Sequence, residues 1–100
     1  MNMQEKYEDA HTKQLMEAIA TLQSADECKA LFEDLCTISE IKAMAQRLEV
    51  ARLLKQRVVY SEIVRQTGAS TATISRVNRC LTYGADGYQT VLSRLDGEQS

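Results

Sequence analysis

The residues best able to do chemistry lie between Gly68 and Leu81, in the run G-A-S-T-A-T-I-S-R-V-N-R-C-L. Hydroxyls stand at Ser70, Thr71, Thr73 and Ser75, the small Ala72 lies among them, and Arg76 and Arg79 follow. No Asp or Glu occurs from residue 68 to residue 82. Side chains of these types bind rather than transform. Hydroxyls bond phosphates or base edges, and a threonine methyl can touch a thymine methyl. Arginines neutralise phosphates. An exposed helix without this task usually alternates Glu and Lys at i,i+4. Its acid-free composition distinguishes the segment from an ordinary helical hairpin, which would also use a glycine connector. Arg65, with Lys55 and Arg57 nearby, adds to the positive charge.

Other chemistries find little material. The single His11 is far from any second candidate acid or base, and no glycine-rich phosphate loop is present, so no enzyme is expected. Cys28, Cys36 and Cys80 are odd in number and form no C-x-x-C. They read as buried or half-buried thiols, not as metal ligands or redox centres, and no cofactor is expected.

The elements that must position the hydroxyls and arginines are helices. The chain has 100 residues, no proline, four glycines and five aromatics, which suits helices with short connections. The spacing predicts a first helix over about 5–22, with Leu15, Ile19 and Leu22 on one stripe. Ser24 and Glu27 make a capping box for a second helix whose apolar face is Leu31, Phe32 and Leu35. Thr37 and Glu40 repeat that device before a long helix, about 38–56, with Ile41, Met44, Ala45, Leu48, Ala51 and Leu54 inward. After a break at 56–59, a short helix runs from Tyr60 to Thr67. Gly68 supplies the positive φ of a tight turn. Ser70 caps the next helix, about 71–81. Ile63, Val64, Ile74, Val77 and Leu81 anchor the crossing, which is the plan of a helix-turn-helix over 60–82. Gly84 is read as a left-handed C-cap and Asp86 as the cap of a last helix with Tyr88, Val91, Leu92 and Leu95 inward; residues 96–100 read as a frayed tail.

Charge is unevenly spread over a net −2. Residues 1–41 hold three basic and nine acidic side chains, residues 42–82 eight basic and two acidic, and residues 83–100 one basic and three acidic. The pattern suits equally a set of solvated helix faces of uneven charge and a basic module facing nucleic acid, joined to an acidic dimerisation module. No apolar run approaches the roughly 20 residues that span a bilayer, and the polar N-terminus is unlike a secretory signal, so the expected compartment is the cytoplasm.

The runs L-C-T-I-S-E-I-K-A-M-A-Q-R-L and T-G-A-S-T-A-T-I-S-R-V-N-R-C-L resemble the tryptophan repressor family, closely from Leu35 to Tyr83. The likeness is greatest to short members from Gram-positive bacteria with no established effector. The resemblance implies an all-α, six-helix domain spanning 1–100 that forms an intertwined homodimer. Residues 1–56 and 85–95 would form the dimerisation core, and residues 60–82 the double-stranded DNA reader. It further implies a pocket between the long helix and the reader helix. Arg47 and Arg76 match the arginines that frame tryptophan in the family, and Thr37 matches a lining threonine. Val77 stands where tryptophan binders have glycine, and Cys80 where a serine holds the ligand's amino group. Asp34 and Cys36 replace apolar residues. These departures argue against tryptophan as effector.

Three functions are therefore expected in order. The first is a homodimeric, sequence-specific transcriptional regulator, a repressor by resemblance, with Arg65, Ser70, Thr71, Ala72, Thr73, Ser75, Arg76 and Arg79 on DNA. The second is a repressor gated by a small molecule other than tryptophan at Thr37, Arg47, Arg76, Val77 and Cys80. The third is a protein-interaction module that keeps the fold without reading DNA.

Overall fold

The computed structural model describes residues 9–97. Among these there are six helices and no strand: α1 (Ala10–Ile19), α2 (Ala25–Leu35), α3 (Ile38–Lys55), α4 (Tyr60–Thr67), α5 (Thr71–Tyr83) and α6 (Gly87–Leu95). Residues 5–8, expected to open the first helix, and 98–100 of the expected tail lie outside the described residues. The chain divides into two compact units, with the boundary between Ile38 and Ser39.

In the first unit, α1 opens on Asp9, whose carboxylate accepts a 2.7 Å hydrogen bond from the Thr12 amide. The helix ends at Ile19, earlier than the expected residue 22, and tighter i→i+3 turns carry the chain through Thr21 and Leu22. Ser24 caps α2 by accepting from the Glu27 amide at 3.1 Å. Glu27 reaches back to the Gln23 amide at 2.9 Å, one residue before the cap, so the capping box is displaced by one position. Neither helix contains a buried residue. Leu15 remains 37% exposed and Leu35 54%, although both were expected inward.

The second unit has a core. Val50, Ala51 and Leu53 of α3, Ile63 of α4, Ala69 in the turn, Ile74 and Val77 of α5, and Leu92 of α6 are all buried. Taking each large apolar side chain out of water contributes about 1.5–3 kcal/mol. The expected anchors Ile63, Ile74 and Val77 lie inside, Leu81 packs partly against the core, and Val64 instead stays 36% exposed. The long helix departs from its expected stripe. Ala51 is buried and Leu48 and Leu54 pack on the core, but Val50 and Leu53 are buried while Met44 and Ala45 are exposed. The reason is positional: the C-terminal half of α3 contributes to a core shared with the helix-turn-helix, and its N-terminal half does not.

The termini of α3 to α6 set the helix-turn-helix. Beyond α3, the Val58 amide bonds the Leu53 carbonyl at 3.1 Å and the Arg57 amide bonds the Leu54 carbonyl at 2.9 Å, a Schellman closure. Arg57 occupies its left-handed position, φ 63°, where glycine is usual. Gly68 ends α4 with φ 73°, as expected. Gly84 takes the expected C-cap position of α5, but its φ is −84° with extended ψ and not left-handed. Asp86 precedes α6 with φ 66°, and its side chain makes no cap hydrogen bond. Its backbone carbonyl accepts from the Thr90 amide at 3.0 Å.

Candidate nucleic-acid interface

The turn between α4 and α5 is built from three local devices. Gly68 adopts the left-handed conformation that reverses the chain, and nothing lies near the place a side chain would occupy. The Thr67 hydroxyl donates to the Ile63 carbonyl at 2.7 Å and accepts from the Ala69 amide at 3.1 Å, which closes α4. Ala69 is buried beneath the turn. Ser70 then accepts from the Thr73 amide at 3.1 Å and starts α5.

With Ile74 and Val77 buried, the opposite side of α5 faces outward. Thr71, Ala72, Ser75, Arg76 and Arg79 are exposed, as is Ser70 at the cap. Thr73 differs: it is half-buried, and its hydroxyl lies 3.1 Å from that of Ser70. The cap thus occupies two of the expected hydroxyls and leaves Thr71 and Ser75 as the freer pair. The first turn of α5 contains no acid, so its unpaired amides and dipole present positive potential outward.

The basic side chains divide into two groups. Arg65 is exposed on α4 but held by Glu62, with a 2.9 Å hydrogen bond from Nε and a second bond from Nη2. The Arg65 bonds, then that from Gln66, lower the Glu62 carboxyl to about 2. Arg52 holds Glu49 in the same manner at 2.7 and 2.8 Å, and this lowers the Glu49 pKa. Arg47, Arg76 and Arg79 form no ion pair among the described residues. Glu49 and Glu62 are thus held by other arginines.

A cavity of about 220 Å³ is lined by Arg47, Arg76, Val77, Cys80 and Tyr88. A wider apolar groove of about 520 Å³ adjoins it, lined by Met44, Leu48, Ala85 and Val91 among others, and shares Arg47, Cys80 and Tyr88. Four of the five expected pocket residues are thus brought together from α3 and α5. The fifth, Thr37, belongs to the first unit, where it is exposed. Val77 serves the core as well as the cavity wall. Cys28 and Cys36 are half-buried as expected, whereas Cys80 is exposed because it lies on the open side of α5. No three His, Cys, Asp or Glu side chains among the described residues are placed to hold a metal ion. No helix among them is long and apolar enough to cross a membrane.

Two residues matter that sequence reasoning passes over. Tyr88 reads as one member of an apolar stripe, yet it lines both openings. Gln46 lies on the long helix outside its expected inward stripe. It is half-buried, and its side-chain amide donates a 3.1 Å hydrogen bond to the Thr67 carbonyl. Neither carries a local pattern that could have marked it, since both roles arise from packing between helices distant in sequence.

Comparison with known proteins matches the family described as Trp repressor protein to residues 10–96. The uncharacterized protein YerC of Bacillus subtilis is 55% identical over 82 residues, which covers 82% of this chain and 79% of that protein. The crystal structure of a TrpR-like protein from Eubacterium eligens has a TM-score of 0.87 at 50% identity, covering 92% of this chain and 95% of that one. A Staphylococcus aureus protein provisionally assigned as a Trp repressor has a TM-score of 0.89 at 45% identity, covering 96% of each chain.

Proposed function

Because this chain belongs to the Trp repressor family, we propose that it is a sequence-specific, DNA-binding transcriptional regulator that reads the major groove as a homodimer and acts as a repressor. The observation that carries this reading is the outward face of α5, which is free of acid and bears Arg76 and Arg79, without an ion pair among the described residues, beyond a small, hydroxyl-rich first turn. Small residues let a helix N-terminus approach base edges closely. In this reading Thr71, Ala72 and Ser75 face bases, with Ser70 and Thr73 shaping the turn that presents them. Arg65, Arg76 and Arg79 take phosphates. Regulation of chromosomal genes in a bacterium places the work in the cytoplasm.

The homodimer is supported by the first unit. Helices α1 and α2 contain no fully buried residue, while Met16, Leu35 and Ile38 are 55%, 54% and 75% exposed. Apolar helix faces of this kind need a partner to be stable in water. A second copy supplies it.

The test is selection of duplexes from a random pool by the folded protein, followed by genome occupancy in the native cell. Enrichment of a near-palindromic site supports the reading. Failure of a folded, dimeric sample to retain any duplex at low salt ends it.

A second reading is favoured by the cavity between Arg47 and Arg76. Two guanidinium groups with no carboxylate partner among the described residues suit an anionic effector such as a small carboxylic acid. Buried Val77 narrows the space where a flat indole would lie, so tryptophan is disfavoured. A bound effector raises the melting temperature by mass action. A thermal-shift screen of carboxylates that gives no shift at high concentration removes this reading and leaves the first intact.

A further inference from the structure

We infer that Gln46 is a positioning residue for DNA reading: its hydrogen bond to the Thr67 carbonyl ties the long helix to the turn that presents α5. The inference rests on the DNA-binding reading above and adds to it a residue outside the reader.

Ile63, Ala69, Ile74 and Val77 hold the helix-turn-helix against α3 by apolar burial. Such contact is non-directional, so it resists separation of the helices more than it resists small sliding. A hydrogen bond is directional and weakens steeply with angle. Gln46 supplies one at the place where sliding matters. Thr67 is the last residue of α4, and its carbonyl is among those a helix end leaves without an intrahelical donor. Gln46 provides the missing donor at 3.1 Å in a part-buried setting.

What happens at Thr67 is passed on within a few residues. Its hydroxyl accepts from the Ala69 amide, Gly68 turns the chain at φ 73°, and Ser70 caps α5. Thr71 and Ala72, in the first turn of α5, follow directly. A shift of the Thr67 carbonyl therefore reaches the side chains assigned to base edges, while Arg76 and Arg79 lie one to two turns further on. Base-edge contacts need placement to about 0.5 Å, whereas phosphate contacts by long arginines tolerate more. Loss of the tether thus impairs discrimination between sequences before it impairs attraction to DNA.

The experiment compares the full-length wild type with Gln46→Leu, which keeps bulk without the donor, and Gln46→Glu, which puts an acceptor against the carbonyl. Each is titrated against a duplex selected by the wild type and against a scrambled duplex. Gln46→Leu is expected to weaken binding to the selected duplex about five- to ten-fold, the size of one lost hydrogen bond, with the scrambled duplex unchanged. Gln46→Glu is expected to lose discrimination at about pH 7 and to regain it, relative to wild type, toward about pH 5 as the carboxyl protonates and donates again. Wild-type discrimination in Gln46→Leu, or equal weakening on both duplexes, overturns the inference. If Gln46→Leu does not fold, the pH response of Gln46→Glu decides, and its absence counts against the tether. If the wild type itself binds no duplex, the DNA-binding reading has failed. Hydrogen exchange at the Gly68 and Ala69 amides then still tests the tether, which falls if Gln46→Leu leaves their rates unchanged.

Discussion

The Glu62 carboxylate on α4 holds the Arg65 guanidinium three residues along the same helix, with Nε at 2.9 Å, while Gln66 donates to the same carboxylate at 2.8 Å. An arginine assigned to DNA thus stands in the free protein as half of a neutral pair. Glu62→Gln releases it and removes the acid. Affinity for any duplex is expected to rise about three- to ten-fold at low salt, and the slope of log affinity against log salt to steepen by about one. Fluorescence anisotropy over a salt series measures both. An unchanged slope shows that Arg65 does not reach a phosphate.

The same carboxylate gives the fold a pH signature. Glu62 falls from 4.5 to about 2 on folding, chiefly through the Arg65 hydrogen bond, and Glu49 is lowered by Arg52. A depressed carboxyl contributes stability above its unfolded pKa, and that contribution is lost as pH falls through the folded pKa. The loss attributable to Glu62 therefore lies between about 4.5 and about 2. Its amplitude is small because the pair is in solvent. Urea unfolding across this range is expected to show a shallower decline in Glu62→Gln than in wild type.

Gly84 has to be glycine because of proximity. Its backbone is in an ordinary region, but an added Cβ would overlap the Cys80 carbonyl oxygen. Gly84→Ala is expected to lower stability by about 1–3 kcal/mol, since backbone and not a flexible side chain must yield. Denaturant titration measures it. A neutral result shows that the end of α5 relaxes freely.

Arg57 presents the opposite case, a left-handed residue with a side chain. Arg57→Gly is expected to raise stability by up to about 1 kcal/mol, because glycine adopts this conformation without the Cβ clash. The lost cation is expected to weaken DNA binding a few-fold. Paired unfolding and binding titrations separate the two effects. Stability without loss of affinity would remove Arg57 from the DNA-facing charge.

Much of the reader was legible in the sequence because its signals are local. Gly68 had to take positive φ, Ser70 had to cap, and Ile74 and Val77, three apart, had to share a face. Each depends on residues within about one turn of one another, and each stands in the structure as expected. The same locality was half right at Gly84 and Asp86, which stand at the expected ends of α5 and α6. Both hold the cap positions that their composition suggests, but Gly84 is extended rather than left-handed and comes close to the Cys80 carbonyl, and Asp86 is left-handed and makes no side-chain cap bond.

The amino-acid order alone was enough for six helices, the position of the turn and the acid-free face of α5, since propensity, capping and periodicity act over neighbouring residues. It could not say that Val50 and Leu53 rather than Met44 would be buried, that Gln46 would reach Thr67, or that Tyr88 would join Arg47 and Arg76 around one cavity. Those outcomes depend on how helices far apart along the chain come together, and packing of that kind is settled by shape and burial over the whole second unit, for which no stretch of local pattern carries a code.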